Sequence, residues 1–463
     1  MANRTPRPAD PHPDHHRTGS VIPTGAMDRI FLELSQRSPQ PSYMHVGAVM
    51  LVQAAAPDLA ELRRWIGERL HRAPVLGYRL SGDHQRWERD PGFAPEAHID
   101  SRRLKPGDDV LAAALAVAEE PLPPERPLWR LVMLHGYSPA PGGEPAPRPS
   151  GAGAAGTSGD GEQGGGEQDG GAEYALCYLT HHAFQDGMAI VATLEALFGA
   201  QSLPAPTPRE GRAALRPWRW PAPTDLALRW RRTAAWTPAA RPLTGRRRLL
   251  SFRLDQATLQ GAARSADLTR NHLCLAALTQ ALRQWSPQDW AEPLGRRARR
   301  GLHVAMPLDL RAPGGGALGN QIGVLGMALP CHRAAPSEQL EQVVAQTGAR
   351  RLLRHRDMHR ALLPRLPYRL ARAMYLRYAD PRYVAMPVST VRIRGTLDIA
   401  GHPVGTVLAL PPLVPGQPMM IVLLVYHDQV SPSLIVDTAI PDAEVLIDLW
   451  QTALSRPNPA MGT

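Results

Sequence analysis

Two adjacent histidines, His181 and His182, open the segment HHAFQDG, which also holds Asp186 and Gly187 and directly follows the apolar run EYALCYLT. An imidazole ionises near neutral pH, so a histidine held in a cleft can take the proton of an alcohol or amine as that group attacks a carbonyl carbon. For His182 to act as such a base, one ring nitrogen must face the acceptor while a hydrogen bond holds the other. Asp186 is placed to order the loop, and Gly187 to let the backbone turn sharply into the next element. A nucleophile of the protein's own is missing: Cys177 lies within the apolar run, and no GxSxG elbow occurs. Direct, base-assisted transfer is the simpler chemistry. The plain alternative is a histidine pair that merely forms the polar end of a strand.

The elements around the pair decide between these readings. EYALCYLT reads as a buried strand, and MAIVATLEALFG places Met188, Val191, Leu194, Leu197 and Phe198 at helical spacing, so the motif sits at a strand-to-helix junction, where side chains are exposed. Upstream, YMHVGAVMLV and PLWRLVMLHGY read as strands, LAELRRWIGERLHRAP as an amphipathic helix ending before Pro74, and DDVLAAALAVAEEPL as a second helix. Residues 138–172 are dense in Gly, Pro and Ala and poor in apolar side chains, which makes them a disordered insertion in the turn of a hairpin. Residues 1–25 read as a disordered tail, 26–200 as an N-terminal domain, the proline-broken stretch 201–245 as a linker, and 246–463 as a C-terminal domain. That second part repeats the mixture of strands and helices, including a long basic helical tract that begins with SEQLEQVVAQ. The fold class is therefore α/β in mixed α+β arrangement, in two domains.

Composition sets the outer bounds. A chain of 463 residues, 43% hydrophobic and 20% charged, is a soluble globular protein of two domains rather than a disordered or collagen-like one. It has no apolar run of the ~18 residues that a spanning helix needs, and its start lacks the apolar segment of a secretory signal, so the cytoplasm is the expected compartment. Cys177, Cys274 and Cys331 lie far apart without CxxC spacing, which points to reduced thiols and to neither disulfides nor a metal site. The net charge of +10 is carried by arginine, Lys105 being the only lysine. No recognised nucleic-acid module accompanies it, so nucleic acid is not an expected partner. The arginine clusters read as solvated faces. The basic tract, with Leu352, Leu353, Leu362 and Leu363, also fits an anionic membrane surface or the phosphates of a cofactor.

HHAFQDG matches the HHxxxDG signature of the coenzyme A-dependent acyltransferase superfamily, to which chloramphenicol acetyltransferase and the condensation domains of peptide synthetases belong. From about residue 27 to 455 the chain resembles, in order and spacing, the bacterial wax ester synthase and diacylglycerol acyltransferase family. The resemblance is carried by MDRIFLELSQRSPQPSYMHVGAVMLV, by the PLW segment at Pro127, Leu128 and Trp129, by the helix RNHLCLAALTQALR with Asn271, by MPLDLR and GALGNQIG, and by the segment from GTLDIAGHPVG to LLVYHDQV. It implies two chloramphenicol-acetyltransferase-like domains with the active site at their interface, reached by a tunnel from each side. The implied reaction moves a fatty acyl group from acyl coenzyme A, a co-substrate rather than a tightly bound cofactor, to diacylglycerol or a long-chain alcohol. His182 would be the general base, His181 a support, and Asp186 a structural carboxylate paired with Arg311. Gly319 and Asn320 would line the site, Asn320 near the oxyanion, while Pro127, Leu128, Trp129 and Asn271 would border the substrate channel. A lipid acceptor places such an enzyme at the inner membrane face or a lipid-droplet surface.

The chain departs from the family at two places. His272 follows Asn271 where an aspartate is usual, and VSTVRIRG stands where the family shows SNVPGP, so Thr390, Arg392 and Arg394 occupy the second domain's edge of the site. Two other readings stay open on that account: acylation or condensation of a specialised metabolite with the same base, and a lipid-binding relative whose catalysis has drifted.

Overall fold

Apolar runs that are buried on both faces must sit inside a sheet, and the strand Tyr174–His181, every residue of it buried, does so. The computed structural model describes residues 21–38, 40–137, 173–208, 213–217, 220–222, 225, 231–296, 298–312 and 315–455. The insertion 138–172 and most of the expected tail lie outside the described residues. Ile22–Pro23, at the end of that tail, is ordered against Arg86–Trp87 in a three-stranded sheet with Tyr78–Leu80.

Six strands form the first large sheet, in the spatial order Asp398–Ile399, His402–Leu410, His45–Val52, Tyr174–His181, Trp129–His135 and Ile99–Arg103. Trp129–His135 and Tyr174–His181 pair antiparallel, His135 opposite Tyr174, so the two strands flanking the insertion are neighbours. Its first two strands come from the far end of the chain, Leu410 pairing with Gly47. The sheets therefore do not divide the chain at a single point. Gly47 is needed for this stacking, since a Cβ there would lie 1.9 Å from the carbonyl oxygen of Tyr178.

The second sheet runs Ile322–Leu329, Leu302–Asp309, Met386–Arg392, Met419–Tyr426, Gln429–Asp437, Arg247–Ser251, with Leu254–Asp255 on Gln429–Asp437. Helices Arg270–Trp285 and Ala443–Ser455 bury Leu278, Leu282, Leu446 and Trp450 against it. Truncating one such leucine to alanine costs about 2–5 kcal/mol. The basic tract resolves into helices Pro336–Thr347, Ala349–Leu362 and Tyr368–Tyr378. Met358 and Ala361 of this tract are buried, Leu352 packs on the second core, and of the four leucines Leu353 is exposed and the other three half-buried. Among the described residues no helix is long and apolar enough to cross a membrane.

Candidate active site

The strand Tyr174–His181 and the helix Gly187–Leu197 meet at the motif. The amide of His181 donates to Leu128 O (3.0 Å) and that of His182 to Met44 O (2.7 Å), which ties the loop to both neighbouring strands. Asp186 caps the helix by accepting from the amides of Met188 and Ala189 at 3.1 Å each, filling the acceptor role that the helix start leaves open. Gly187 is not among the residues with positive φ. Close approach explains it better than turning freedom, because a Cβ would meet Val391 Cγ1 at 3.3 Å.

The carboxylate of Asp186 also reaches across to the second sheet's long loop. Arg311 Nη1 donates to its Oδ1 at 2.8 Å, and the amide of Gln321 to its Oδ2 at 2.9 Å. The same guanidinium donates to Gly316 O and Gly319 O, and the amide of Gly319, at φ 69°, donates to Phe184 O. Burial opposes ionisation of Asp186, yet the Arg311 charge and these donors outweigh it and hold the carboxyl below its usual range. Both partners are buried, 1% and 8% exposed at the side chain, so removing one would strand the other at about 3–5 kcal/mol. Three donors approach its Oδ1 and the Gln321 amide approaches its Oδ2, so the carboxylate ties the helix start to the loop of the second sheet.

Asn320, on that loop, decides what His182 can do. Its Nδ2 faces His182 O (2.6 Å), Ala183 O (3.2 Å) and Asp28 Oδ1 (3.4 Å), all acceptors, which fixes the orientation of the amide. Its Oδ1 then lies 2.9 Å from His182 Nδ1, so that nitrogen carries the proton and Nε2 keeps a lone pair. The ring of Phe31 stacks on the imidazole at 4.0 Å and 10°. Burial pulls the His182 pKa below the ordinary imidazole value, and the charges of Asp186 and Asp28 only partly oppose this, so the ring is neutral at pH 7. Asn320 therefore orients the imidazole. The oxyanion role expected for it is not available, since its donors are already engaged.

His181 differs from its neighbour. Its Nδ1 accepts from the amide of Ala183 (3.0 Å), which places its proton on Nε2. Burial, and then the neighbouring rings of His45 and His182, push its pKa down to about 3. It holds the turn.

Two cavities lie near the motif, and His182 lines the first of them. An apolar chamber of about 80 Å³ is walled by residues of both sheets, among them Val46, Ile190, Leu194, Val391 and Val422, and only His182, Asp186 and Ser389 bring polar side chains to it. A separate wide cleft of about 1010 Å³ has Asp28, Arg29, Asn320, His359, Arg360 and Tyr368 in its walls, so that Asn320, rather than His182 itself, borders it. Ile322 faces both. Along Met386–Arg392 and beyond, Ser389, Val391 and Ile393 line the chamber, while Thr390 turns away to donate to Asn271 Oδ1 (3.0 Å). Thr390, Arg392 and Arg394 thus have the wrong strand parity to edge the site, a one-residue slip that reverses the facing of every side chain.

The remaining expected channel residues lie elsewhere. Asn271 and Pro127 line neither cavity. Leu128 accepts through its carbonyl from Thr180 Oγ1 and from the amide of His181, and so aligns the histidine strand. Trp129, 1% exposed, stacks on His98 and donates to Leu76 O, a core position. Asp28, Phe31 and Ser389 are at the site although the sequence assigned none of them a role there, Asp28 and Phe31 standing only in the segment MDRIFLEL that carries the family resemblance. Only a resolved packing of helix Ala26–Arg37 against residues 182 and 320 reveals the first two.

Residues 25–140 match the wax ester synthase/diacylglycerol acyltransferase catalytic domain, and residues 318–456 the C-terminal domain of the same family, together more than half of the chain. The histidine motif falls between the two matches. A candidate diacylglycerol O-acyltransferase of Mycobacterium tuberculosis (strain ATCC 25618 / H37Rv) is 34% identical over 116 residues, which span 24% of this chain and only 25% of that relative. Among solved structures, the wax ester synthase/diacylglycerol acyltransferase from Marinobacter aquaeolei VT8 superposes with a TM-score of 0.61 at 17% identity, covering 96% of this chain and 100% of that one. The starter condensation domain of rhizomide synthetase, in complex with C8-CoA, gives 0.59 at 15% identity over 95% and 96%. At these identities the structures show a shared fold of two acyltransferase-type halves. On its two matched domains, the chain belongs to the wax ester synthase/diacylglycerol acyltransferase family.

Proposed function

We propose that the protein transfers a fatty acyl group from acyl coenzyme A to the hydroxyl of diacylglycerol, forming triacylglycerol, and to long-chain alcohols, forming wax esters. The observation that carries this reading is the oriented imidazole: a neutral His182 that lines the apolar chamber, with Nδ1 committed to Asn320, a residue that lines the wide cleft. Nε2 takes the proton of the acceptor hydroxyl as its oxygen attacks the thioester carbon. The C–S bond breaks, and the coenzyme A thiolate leaves and takes the proton from the imidazolium. Both charges are transient, and the imidazole returns neutral. The hydroxyl of Ser389, which opens on the same chamber, is the group that would donate to the oxyanion. The wide cleft, with Arg29 and Arg360 in its walls, suits the phosphates of coenzyme A. Membership of the family supports the substrate class. The lipid acceptor would arrive from a cytoplasmic membrane face or a lipid-droplet surface.

One observation favours a second reading, acylation of a small metabolite alcohol or amine. The chamber's 80 Å³ is smaller than a cavity of ~150 Å³ that takes up a single benzene. A long acceptor chain would have to widen it. Purified protein given radiolabelled palmitoyl coenzyme A with dioleoylglycerol, hexadecanol, or a panel of small alcohols and amines separates the two. Labelled triacylglycerol or wax ester is the expected product. Product from small acceptors alone replaces the first reading by the second, and no product with any acceptor, with lipid binding retained, marks a non-catalytic relative.

A further inference from the structure

Helix Ala26–Arg37 brings two side chains, one turn apart, to the back of the base. Phe31 covers the His182 ring and is itself held edge-on by Tyr375 at 5.3 Å. Asp28, 1% exposed, reaches Asn320. Its Oδ1 accepts from the Asn320 amide at 2.7 Å and faces Nδ2 at 3.4 Å, while its Oδ2 accepts from the amide of Gly25 at 2.8 Å and from Trp87 Nε1 at 3.3 Å. Donors thus approach both oxygens, and only a carboxylate can accept on both sides, because one end of an amide donates. The helix is fixed in turn by Glu33, which pairs with Arg372 at 2.5 Å.

We propose that Asp28 is a positioning residue which, acting through Asn320, holds His182 in the tautomer with Nδ1 protonated and Nε2 free to take the substrate's proton. The proposal rests on His182 being the base. Asn320 is the hinge of the argument: its amide could rotate by half a turn about its side-chain bond and present Nδ2 to His182. Asp28 and the carbonyls of His182 and Ala183 oppose that rotation, and Asp28 alone also ties the backbone of Asn320 to the first helix. The carboxylate further favours the imidazolium that forms during transfer, since its charge pulls the His182 pKa upward.

The test combines nitrogen NMR of protein labelled with 15N-histidine and pH–rate profiles of the same samples. In the wild type, the His182 resonances, assigned by their loss in His182→Ala, are expected to show a protonated Nδ1 and a bare Nε2. In Asp28→Asn, both nitrogens are expected to move toward intermediate shifts, kcat to fall about tenfold with KM for acyl coenzyme A unchanged, and the acid limb of the profile to move to lower pH. Asp28→Glu keeps the charge but displaces it, so kcat falls while the acid limb stays in place; this variant carries the test if Asp28→Asn does not fold. A bare Nδ1 in the wild type, or wild-type shifts and kcat in the folded variants, overturns the proposal. Activity retained by His182→Ala would instead overturn the assignment of the base, while the nitrogen shifts would still judge Asp28.

Discussion

The chamber that His182 lines and the wide cleft that Asn320 lines are built from different materials. The chamber is walled by aliphatic side chains of both sheets and of the helix Gly187–Leu197, and a Cβ at Gly187 would press on Val391 Cγ1 at 3.3 Å. The cleft is more than ten times larger and mixes apolar side chains such as Met27, Trp87, Leu318 and Leu363 with the charged Asp28, Arg29 and Arg360. Charged side chains thus enter the walls of the cleft, while Asp186 is the one charged group among those that line the chamber. Ile322 lines both, and it directly follows Asn320 and Gln321, which the Asp186–Arg311 pair and the Gln321 amide tie to the motif.

The largest expected effect breaks that tie. Asp186→Ala takes from the buried Arg311 guanidinium its fully buried partner, leaving Asp309 at 3.2 Å, and uncaps the helix, at about 3–5 kcal/mol, which calorimetry would record as a fall in Tm of roughly 3–5 °C. A melting temperature within a degree or two of wild type would show that the two sides are not held by this pair. On the chamber side, Ser389→Ala should lower kcat roughly a hundredfold by removing an oxyanion donor, with KM for acyl coenzyme A unchanged. An equal effect on both constants would mean that the hydroxyl only packs. On the cleft side, Arg360→Ala should raise KM for acyl coenzyme A roughly tenfold through a lost charge-assisted contact and leave kcat alone. If Arg360→Ala lowered kcat instead, the division of labour between the two sides would be wrong.

How much of this was legible in the sequence depends on whether the relevant contact is local. The strand-to-helix junction at HHAFQDG is written in a change of apolar period, from the continuous run before His181 to the helical spacing of Val191, Leu194 and Phe198, and the structure has both elements there. The pairing of Asp186 with Arg311 followed from the family resemblance, because no local pattern specifies a partner 125 positions away. The same limit hid Asp28, which reaches Asn320 across 292 positions. Ser389 was missed for a different reason. A strand's two faces are distinguished only by parity, and VSTVRIRG offers polar residues on both, so Thr390 and Arg392 looked as eligible as Ser389 until the pairing of Ser389 with Val422 set the register. His402–Leu410 shows the limit at the level of topology: its apolar residues announce a strand, but nothing in them says that it crosses to the first sheet to pair with His45–Val52. Trp129 illustrates the reverse case, a motif residue whose position in the core explains its size without any part in a channel.

The account turns on His182 Nε2 as the proton acceptor. The base form is the neutral ring, and its pKa lies below the ordinary imidazole value, so activity is fully present at pH 7.5 and is lost only as pH falls through that lowered value. The most direct measurement is the rate of coenzyme A release from palmitoyl coenzyme A, with dioleoylglycerol as acceptor, by wild type and by His182→Ala at pH 7.5, both verified as folded by their melting curves. A fall of about a hundred- to ten-thousandfold in kcat is the predicted result. A folded His182→Ala protein that keeps its rate within a few fold would contradict the account.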